Sequence, residues 1–137
     1  MLVLLDQNAE VQVFEMTKKT AIIGASTNPS RYAYIAAERL TSHNHEIVPI
    51  GIKKGDVFGQ QILDIQSKPY VEEVDTLTLY IGPAHQPAYI DYLLSLKPKR
   101  IIFNPGTENE KFVKRAEDNG IETVYGCTLV MLSIGNY

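Results

Sequence analysis

Residues 20–29 read Thr20-Ala21-Ile22-Ile23-Gly24-Ala25-Ser26-Thr27-Asn28-Pro29, and this stretch decides the fold. Its first four residues are a short apolar run with β-branched side chains, which is typical of a strand buried on both faces. A turn of Gly, Ser, Asn and Pro follows at once. The next segment, 32–42, has apolar residues at helical spacing and ends in polar residues. The sequence therefore predicts a strand, a tight turn and a helix in immediate succession.

The same alternation continues along the chain. Further strands are predicted at 46–50, 76–81, 100–103 and 121–125, and further helices at 87–96, 108–119 and 129–133. Residues 51–70 form a longer connection, with a short helical turn or strand at 60–62. Strands that alternate with helices call for a parallel sheet with helices on both faces. The sequence predicts an α/β fold, a Rossmann-like three-layer sandwich with a five-stranded parallel sheet of order 3-2-1-4-5.

Composition limits the kind of protein. The chain has 137 residues, of which 45% are hydrophobic and 21% charged, as in an ordinary globular domain. A net charge of -3 argues against a nucleic-acid partner, which usually requires a basic surface. No apolar run approaches the length of about 20 residues that a membrane helix needs. The single cysteine, Cys127, fits a reducing compartment, so we expect a cytoplasmic protein.

The first 16 residues do not join smoothly to the rest. One interpretation is a leader that precedes the natural start, Met16; the other is an extra edge strand at 11–14 or an arm that packs on a partner. In both cases the domain itself is predicted to span 17–137.

The turn at 24–29 is the strongest candidate for a ligand site. In such a sheet, ligands bind beyond the carboxyl ends of the strands. The main-chain N–H groups at the start of the next helix are unpaired and suit a phosphate. Gly24 allows a tight turn and Ala25 a close approach, while the polar side chains of 26–28 and the charge of Arg31 add hydrogen-bond donors. The alternative is that Ser26 or Asn28 only caps the helix.

The kind of phosphate ligand is narrowed by what the turn lacks. A dinucleotide site favours G-x-G-x-x-G, with an acidic residue about 20 residues later on the ribose. Ser26 replaces the second glycine and Pro29 stands at the third position, and Lys53 and Lys54 follow the second strand instead of a carboxylate. This argues against NAD and leaves NADP or coenzyme A (CoA), whose ribose bears an additional phosphate. The alternative for the two lysines is a solvated loop.

With these features the sequence resembles the small stand-alone CoA-binding proteins, whose Rossmann-like domain is related to the CoA-binding N-terminal domain of the succinyl-CoA ligase α subunit. The resemblance covers about residues 19–132. The matching segments are Ala21-Ile22-Ile23-Gly24-Ala25-Ser26, Asn28-Pro29, Arg31, Ile47-Val48-Pro49, Phe103-Asn104-Pro105-Gly106, Asn109-Glu110, Ala116, Gly120 and Cys127. The chain differs from many relatives in having Ile50-Gly51 after Pro49, and Gly82-Pro83-Ala84-His85 where relatives often carry an arginine.

The resemblance implies that CoA or an acyl-CoA lies along the carboxyl edge of the sheet. The candidate cofactor-binding residues are Gly24, Ala25, Ser26, Thr27, Asn28, Arg31, Val48, Pro49, Ile50, Lys53, Lys54, Ile81, Gly82, Pro83, Asn104, Pro105, Gly106 and Cys127.

Catalytic residues are not evident. His43 and His45 are predicted to be exposed turn residues on the opposite edge of the sheet, so His85 is the one histidine placed for catalysis. Cys127 is either a reactive thiol, which would form a mixed disulfide with CoA, or a small buried hydrophobe. No spacing of metal ligands is present. The chain is too short to hold both the nucleotide-activating domain and the phosphorylatable histidine of an acyl-CoA ligase.

The sequence therefore predicts a non-catalytic CoA or acyl-CoA binding protein that acts as a carrier, sensor or regulator. The alternatives are an enzyme with an NADP-type cofactor, and a domain without ligand that binds another protein. A homodimer is left open, and neither a nucleic acid nor a membrane is expected as a partner.

Overall fold

A computed structural model describes the backbone of residues 2–4 and 13–15, and residues 17–137 with their side chains. The strands are β1 Leu2–Leu4, β2 Val13–Glu15, β3 Thr20–Ile23, β4 Ile47–Gly51, β5 Asp56–Val57, β6 Gln60–Gln61, β7 Leu63–Asp64, β8 Thr76–Leu79, β9 Arg100–Phe103 and β10 Glu122–Tyr125. The helices are α1 Tyr32–Ser42, α2 Ile90–Ser95, α3 Glu110–Asp118 and α4 Thr128–Ser133, and short 3₁₀ turns occur at Ile65–Ser67 and Pro83–His85.

The main sheet confirms the predicted α/β, Rossmann-like class. Its strands are all parallel, in the order β10-β9-β8-β3-β4-β7. It has six strands rather than the predicted five, because the two-residue β7 pairs with the end of β4. That strand was missed because its segment is short and has no continuous apolar run.

The missed strand also changes the numbering of the others. The strand at 76–79, which was predicted as the third and as a neighbour of the second, pairs with the first strand, β3. The order 3-2-1-4-5 of the five predicted strands is therefore wrong as assigned. When β7 is counted as the third strand, the sheet reads 3-2-1-4-5-6, which is the usual Rossmann order.

Burial explains why these segments form a central sheet. Every residue of β3, β8 and β9 is buried, as expected for parallel strands covered on both faces. One core lies on the side of α2 and α3 and contains Leu93 and Phe112. The other lies on the side of α1 and α4 and contains Leu40 and Leu132. The three layers of the predicted sandwich are therefore present.

Helix limits agree with the sequence to within two residues except in α2. This helix begins at Ile90 rather than at residue 87, because the 3₁₀ turn at 83–85 comes first and Tyr89 (φ -121°) is its N-cap. In α3 the side chain of Asn109 caps the first turn by accepting a hydrogen bond from the N–H of Phe112 at 3.2 Å.

The segment before the domain contributes a separate pair of strands. The backbones of β1 and β2 pair antiparallel with each other and do not join the six-stranded sheet. The rest of this segment, including Met16, lies outside the described residues, so its role as leader or arm stays a prediction.

The two histidines at the amino edge are not exposed as predicted. Both are half-buried. His43 Nδ1 lies 2.8 Å from the carbonyl oxygen of Arg39. His45 Nδ1 accepts a hydrogen bond from the main-chain N–H of Lys18 at 2.9 Å, and its ring packs on that of Tyr137. Their position far from the carboxyl edge agrees with the prediction.

Candidate functional site

A cavity of about 1020 Å³ lies at the carboxyl ends of the central strands. It is lined by the segments that follow β3, β4, β8 and β9, which is where a ligand of this fold is expected. Half of the candidate residues line it: Gly24, Ala25, Ser26, Arg31, Lys53, Ile81, Gly82, Pro105 and Gly106.

The turn after β3 is held by the end of β4. The carbonyl oxygen of Ile50 accepts hydrogen bonds from the N–H groups of Gly24, at 2.8 Å, and Ala25, at 3.1 Å. These two N–H groups are therefore occupied and do not serve a ligand. The N–H groups of Ser26 and Thr27 have no hydrogen-bond partner within 17–137. The donors available to an anion thus begin two residues later than Gly24.

The polar side chains of the turn bond within it. Ser26 Oγ accepts from the N–H of Asn28 at 3.0 Å, and Asn28 Oδ1 accepts from the N–H and the hydroxyl of Ser30. Helix α1 has no side-chain cap and no acidic residue in its first turn; its N-cap is Arg31. The alternative that Ser26 or Asn28 caps α1 is therefore wrong. The positive end of α1 thus lies at the cavity without a side-chain cap, and the N–H groups of Tyr32 and Ala33 have no partner within 17–137.

Two glycines allow the strand ends to approach closely. Gly24 has φ +93°, and a Cβ atom there would lie 2.9 Å from Ile81 Cγ2. A Cβ atom on Gly51 would lie 2.8 Å from the carbonyl oxygen of Ala25. Gly51 lines the cavity and was not named among the candidate residues, although it lies within the segment 48–54 that was expected along the ligand. A glycine at the carboxyl end of a predicted strand was the available signal.

The two lysines of the loop after β4 differ in their position relative to the cavity. Lys53 lines the cavity, whereas Lys54 does not. A Cβ atom on the following Gly55 would lie 2.6 Å from Thr27 Cγ2, so the Lys53–Lys54 loop packs directly on the turn after β3. Thr27 and Asn28 are exposed and lie outside the cavity lining.

The candidate residues of β4 support the site from within the sheet. Pro49 and Ile50 are buried and Val48 is half-buried, and none of the three lines the cavity. Pro49 fits here because β7 pairs with β4 only from Ile50 onward, so its missing N–H leaves no ladder bond unmade on that side. At the end of β4 the cavity is lined by the residues that follow Ile50, namely Gly51, Ile52 and Lys53.

Asn104 was predicted to contact the ligand but holds the fold together. It is buried, and its Nδ2 donates to Thr78 Oγ1, at 2.8 Å, and to the carbonyl oxygen of Leu79, at 3.0 Å. Its Oδ1 accepts from the N–H of Thr128, at the start of α4, at 2.9 Å. Both of its N–H donors are thus used, and it does not line the cavity.

Two further candidates lie outside the cavity lining. Pro83 is exposed in its 3₁₀ turn. Cys127 is half-buried at the N-cap of α4. A predicted position at the carboxyl edge of the sheet was therefore not sufficient to identify the residues that line the cavity.

Other lining residues were missed, apart from His85, which had been considered for catalysis. The additional lining residues are Tyr32, Ala33, Gly51, Ile52, Ile65, Gln66, Tyr80, Ala84, His85, Pro87, Ala88, Tyr89 and Thr107. Many of them stand in the segment 84–89, whose last three residues were predicted as the start of a helix at 87–96, or in the long connection 51–70, where no ligand motif is present.

The charges of the cavity favour an anion. Arg31, Lys53 and His85 line it, and no Asp or Glu is among its lining residues. Arg31 and Lys53 belong to the segments that follow β3 and β4, whereas the segments 81–89 and 105–107 contribute no Lys or Arg. The cavity therefore has a cationic end and an end without fixed charge.

Catalytic groups are not assembled in the part of the chain that the structure describes. The His85 ring makes no hydrogen bond to another residue within 17–137, and no group of His, Cys, Asp and Glu there could hold a metal ion. Burial raises the pKa of Tyr80, one of the lining residues, to about 12, so this phenol stays protonated at neutral pH. Within the same residues, no helix combines the length and hydropathy needed to cross a membrane.

Comparison with protein families gives one match that covers most of the chain. A family model described as a CoA binding domain matches residues 18–133. This supports CoA binding in general. Among curated proteins no match is found.

Solved structures confirm the fold. One described as an uncharacterized protein is 56% identical, with a TM-score of 0.86, over 90% of this chain and 100% of the other. A hypothetical protein from Pyrococcus horikoshii is 24% identical, with a TM-score of 0.75, over 86% and 83% of the two chains. The protein named cell-free ID.343 from Thermus thermophilus is 22% identical, with a TM-score of 0.78, over 88% and 91%.

Proposed function

Since the chain belongs to the CoA-binding domain family, we propose that it binds CoA or an acyl-CoA in the carboxyl-edge cavity and does not catalyse a reaction on it. Its role would be that of a carrier, sensor or regulator. The observation that carries the proposal is the pairing of an open helix terminus with Arg31 and Lys53 around a cavity lined by no carboxylate.

The phosphates of CoA bind at the cationic end. The N–H group of Ser26 and the uncapped start of α1 receive the pyrophosphate, with Arg31 beside them. Lys53, on the neighbouring loop, receives the additional phosphate of the ribose. Lys54 has no such role because it lies outside the cavity lining.

The pantetheine chain lies at the other end. Its amides and methylenes carry no charge, which matches the segments 81–89 and 105–107, where small and apolar residues prevail. A non-catalytic role is supported by the isolation of His85 and by the position of Cys127 outside the cavity lining.

A second candidate is an enzyme that uses an NADP-type cofactor. Lys53 would then contact the 2′-phosphate, and the absence of a carboxylate from the cavity lining fits this ligand as well. The cytoplasmic location and the homodimer stay predictions under both candidates.

A thermal-shift panel separates these functions. CoA is expected to raise Tm, and dephospho-CoA to raise it less, because only CoA carries the phosphate that Lys53 contacts. NAD and NADP serve as comparison ligands. No shift at millimolar CoA contradicts the proposal, and a larger shift with NADP than with CoA favours the second candidate.

A further inference from the structure

A fully buried glutamine connects two walls of the cavity. Gln86 has no exposed surface, and its Nε2 donates to the carbonyl oxygens of Ile81, at 2.9 Å, and Thr107, at 2.8 Å. Ile81 begins the wall that follows β8, and Thr107 belongs to the wall that follows β9. Gln86 itself does not line the cavity. Its amide thus joins the two walls from behind.

The hydrogen-bond chain extends to the start of α3. Gln86 Oε1 accepts from Asn109 Nδ2 at 2.8 Å, and Asn109 Oδ1 accepts from the N–H of Phe112 at 3.2 Å. Main-chain groups at both ends of this hydrogen-bond chain determine the orientation of the two side-chain amides, because carbonyl oxygens only accept and an N–H only donates. Neither amide can be reversed without opposing two like groups. The spacing of the walls is therefore set by a fully paired network, which a buried amide requires.

We propose that Gln86 and Asn109 are positioning residues that hold the walls 81–89 and 105–107 at the spacing that a pantetheine chain requires. This inference rests on the proposed CoA function. The network lies behind the end of the cavity without fixed charge and joins the segments that follow β8 and β9, whereas Arg31 and Lys53 belong to the segments that follow β3 and β4; of these strands, β8 adjoins β3. Its loss is thus expected to affect the pantetheine and not the phosphates.

Two ligands test this separation. CoA occupies both ends of the cavity, whereas adenosine 3′,5′-bisphosphate lacks the pantetheine and occupies only the cationic end. The substitution Gln86→Met keeps the length of the side chain and removes all three hydrogen bonds. The substitution Asn109→Ser is milder, because serine retains an oxygen for the N-cap of α3 and removes the amide that contacts Gln86. Gln60→Met makes the same chemical change at an exposed position of β6 and is the matched control.

Calorimetric titration of the wild-type protein and the three variants, well below their unfolding temperatures, gives the result. We expect Gln86→Met to weaken CoA binding about tenfold, since two carbonyl groups of the walls lose their partner, with a smaller loss for Asn109→Ser and none for Gln60→Met. Binding of the bisphosphate is expected to be unchanged in all variants. Equal losses for both ligands, or no loss of CoA binding in Gln86→Met, would overturn the inference. A wild-type protein that binds neither ligand refutes the proposed function instead.

Discussion

Gly51 and Ala25 approach each other so closely that a Cβ atom on Gly51 would lie 2.8 Å from the Ala25 carbonyl oxygen. The end of β4 therefore packs directly against the turn that follows β3. The same contact includes the two hydrogen bonds that the carbonyl of Ile50 receives from that turn. The position of the phosphate-binding turn thus depends on the neighbouring strand as well as on its own residues.

The first prediction concerns this contact. Gly51→Ala forces main-chain atoms apart and is expected to lower the free energy of unfolding by about 1–3 kcal/mol. Urea denaturation measures the loss. Gly82→Ala is the matched control, because Gly82 has φ -68° and a Cβ atom there meets nothing within 4 Å. That variant should change the stability by less than about 1 kcal/mol. Equal effects of the two substitutions would show that the close approach is not real.

The second prediction separates the two lysines. Lys53→Met should weaken CoA binding about three- to tenfold, because an exposed charge contact with a phosphate is lost. Lys54→Met removes the same charge outside the cavity lining and should change binding much less. With dephospho-CoA the difference between the variants should disappear. Titration calorimetry of both variants with both ligands is the measurement; a greater loss in Lys54→Met contradicts the assignment.

The third prediction concerns the buried amide of Asn104. Asn104→Leu keeps the volume but leaves the carbonyl of Leu79 and the N–H of Thr128 without a partner. We expect a loss of about 2–4 kcal/mol in the free energy of unfolding. The CoA affinity of the folded variant should stay within about twofold of the wild type. Lost binding at unchanged stability would restore Asn104 as a ligand residue.

The fourth prediction concerns alkaline pH. Burial raises the pKa of Tyr92 to about 12, while its hydroxyl donates to the carbonyl oxygen of Pro69 at 2.6 Å. A raised pKa means that the folded protein keeps a proton which the unfolded chain releases near its ordinary pKa of about 10. This contribution is fully present below about pH 10 and is lost as the pH rises towards about 12.

Tyr92→Phe tests the sign of this effect. At neutral pH the variant should be about 1 kcal/mol less stable than the wild type, because a buried hydrogen bond is absent. Between about pH 10 and pH 12 the difference should narrow, since phenylalanine has no proton to lose. Unfolding free energies measured across this range provide the check. A difference that widens with pH would contradict the pKa direction.

The sequence predicted those parts that depend on local pattern. The limits of the strand at 20–23 and of the helix at 32–42 were predicted to the residue. A strand buried on both faces has a continuous apolar run, and the helix has apolar residues at helical spacing. The order of the strands was not predicted correctly. The strand β7 has only two residues in a polar connection, and its pairing with β4 is a tertiary contact.

The site shows the same division. The turn at 24–26, with Arg31 and Lys53, was found because each lies in a connection that follows a predicted strand. Asn104 was wrongly assigned to the ligand. The sequence does not distinguish a polar residue at a strand end that contacts a ligand from one that accepts a hydrogen bond from the N–H of Thr128. Gln86 was overlooked because its partners come from two different loops, and only the fold brings them together.

One measurement tests the central claim most directly: amide proton–nitrogen correlation NMR of the protein during titration with CoA. The account predicts saturable shifts of the amides of Ser26 and of Tyr32 and Ala33 at the start of α1, whose N–H groups have no partner within 17–137. The amides of Gly24 and Ala25, already bonded to Ile50, should keep their hydrogen-bond partner and shift less. No shift at millimolar CoA, or shifts confined to surfaces away from the carboxyl edge of the sheet, would contradict it.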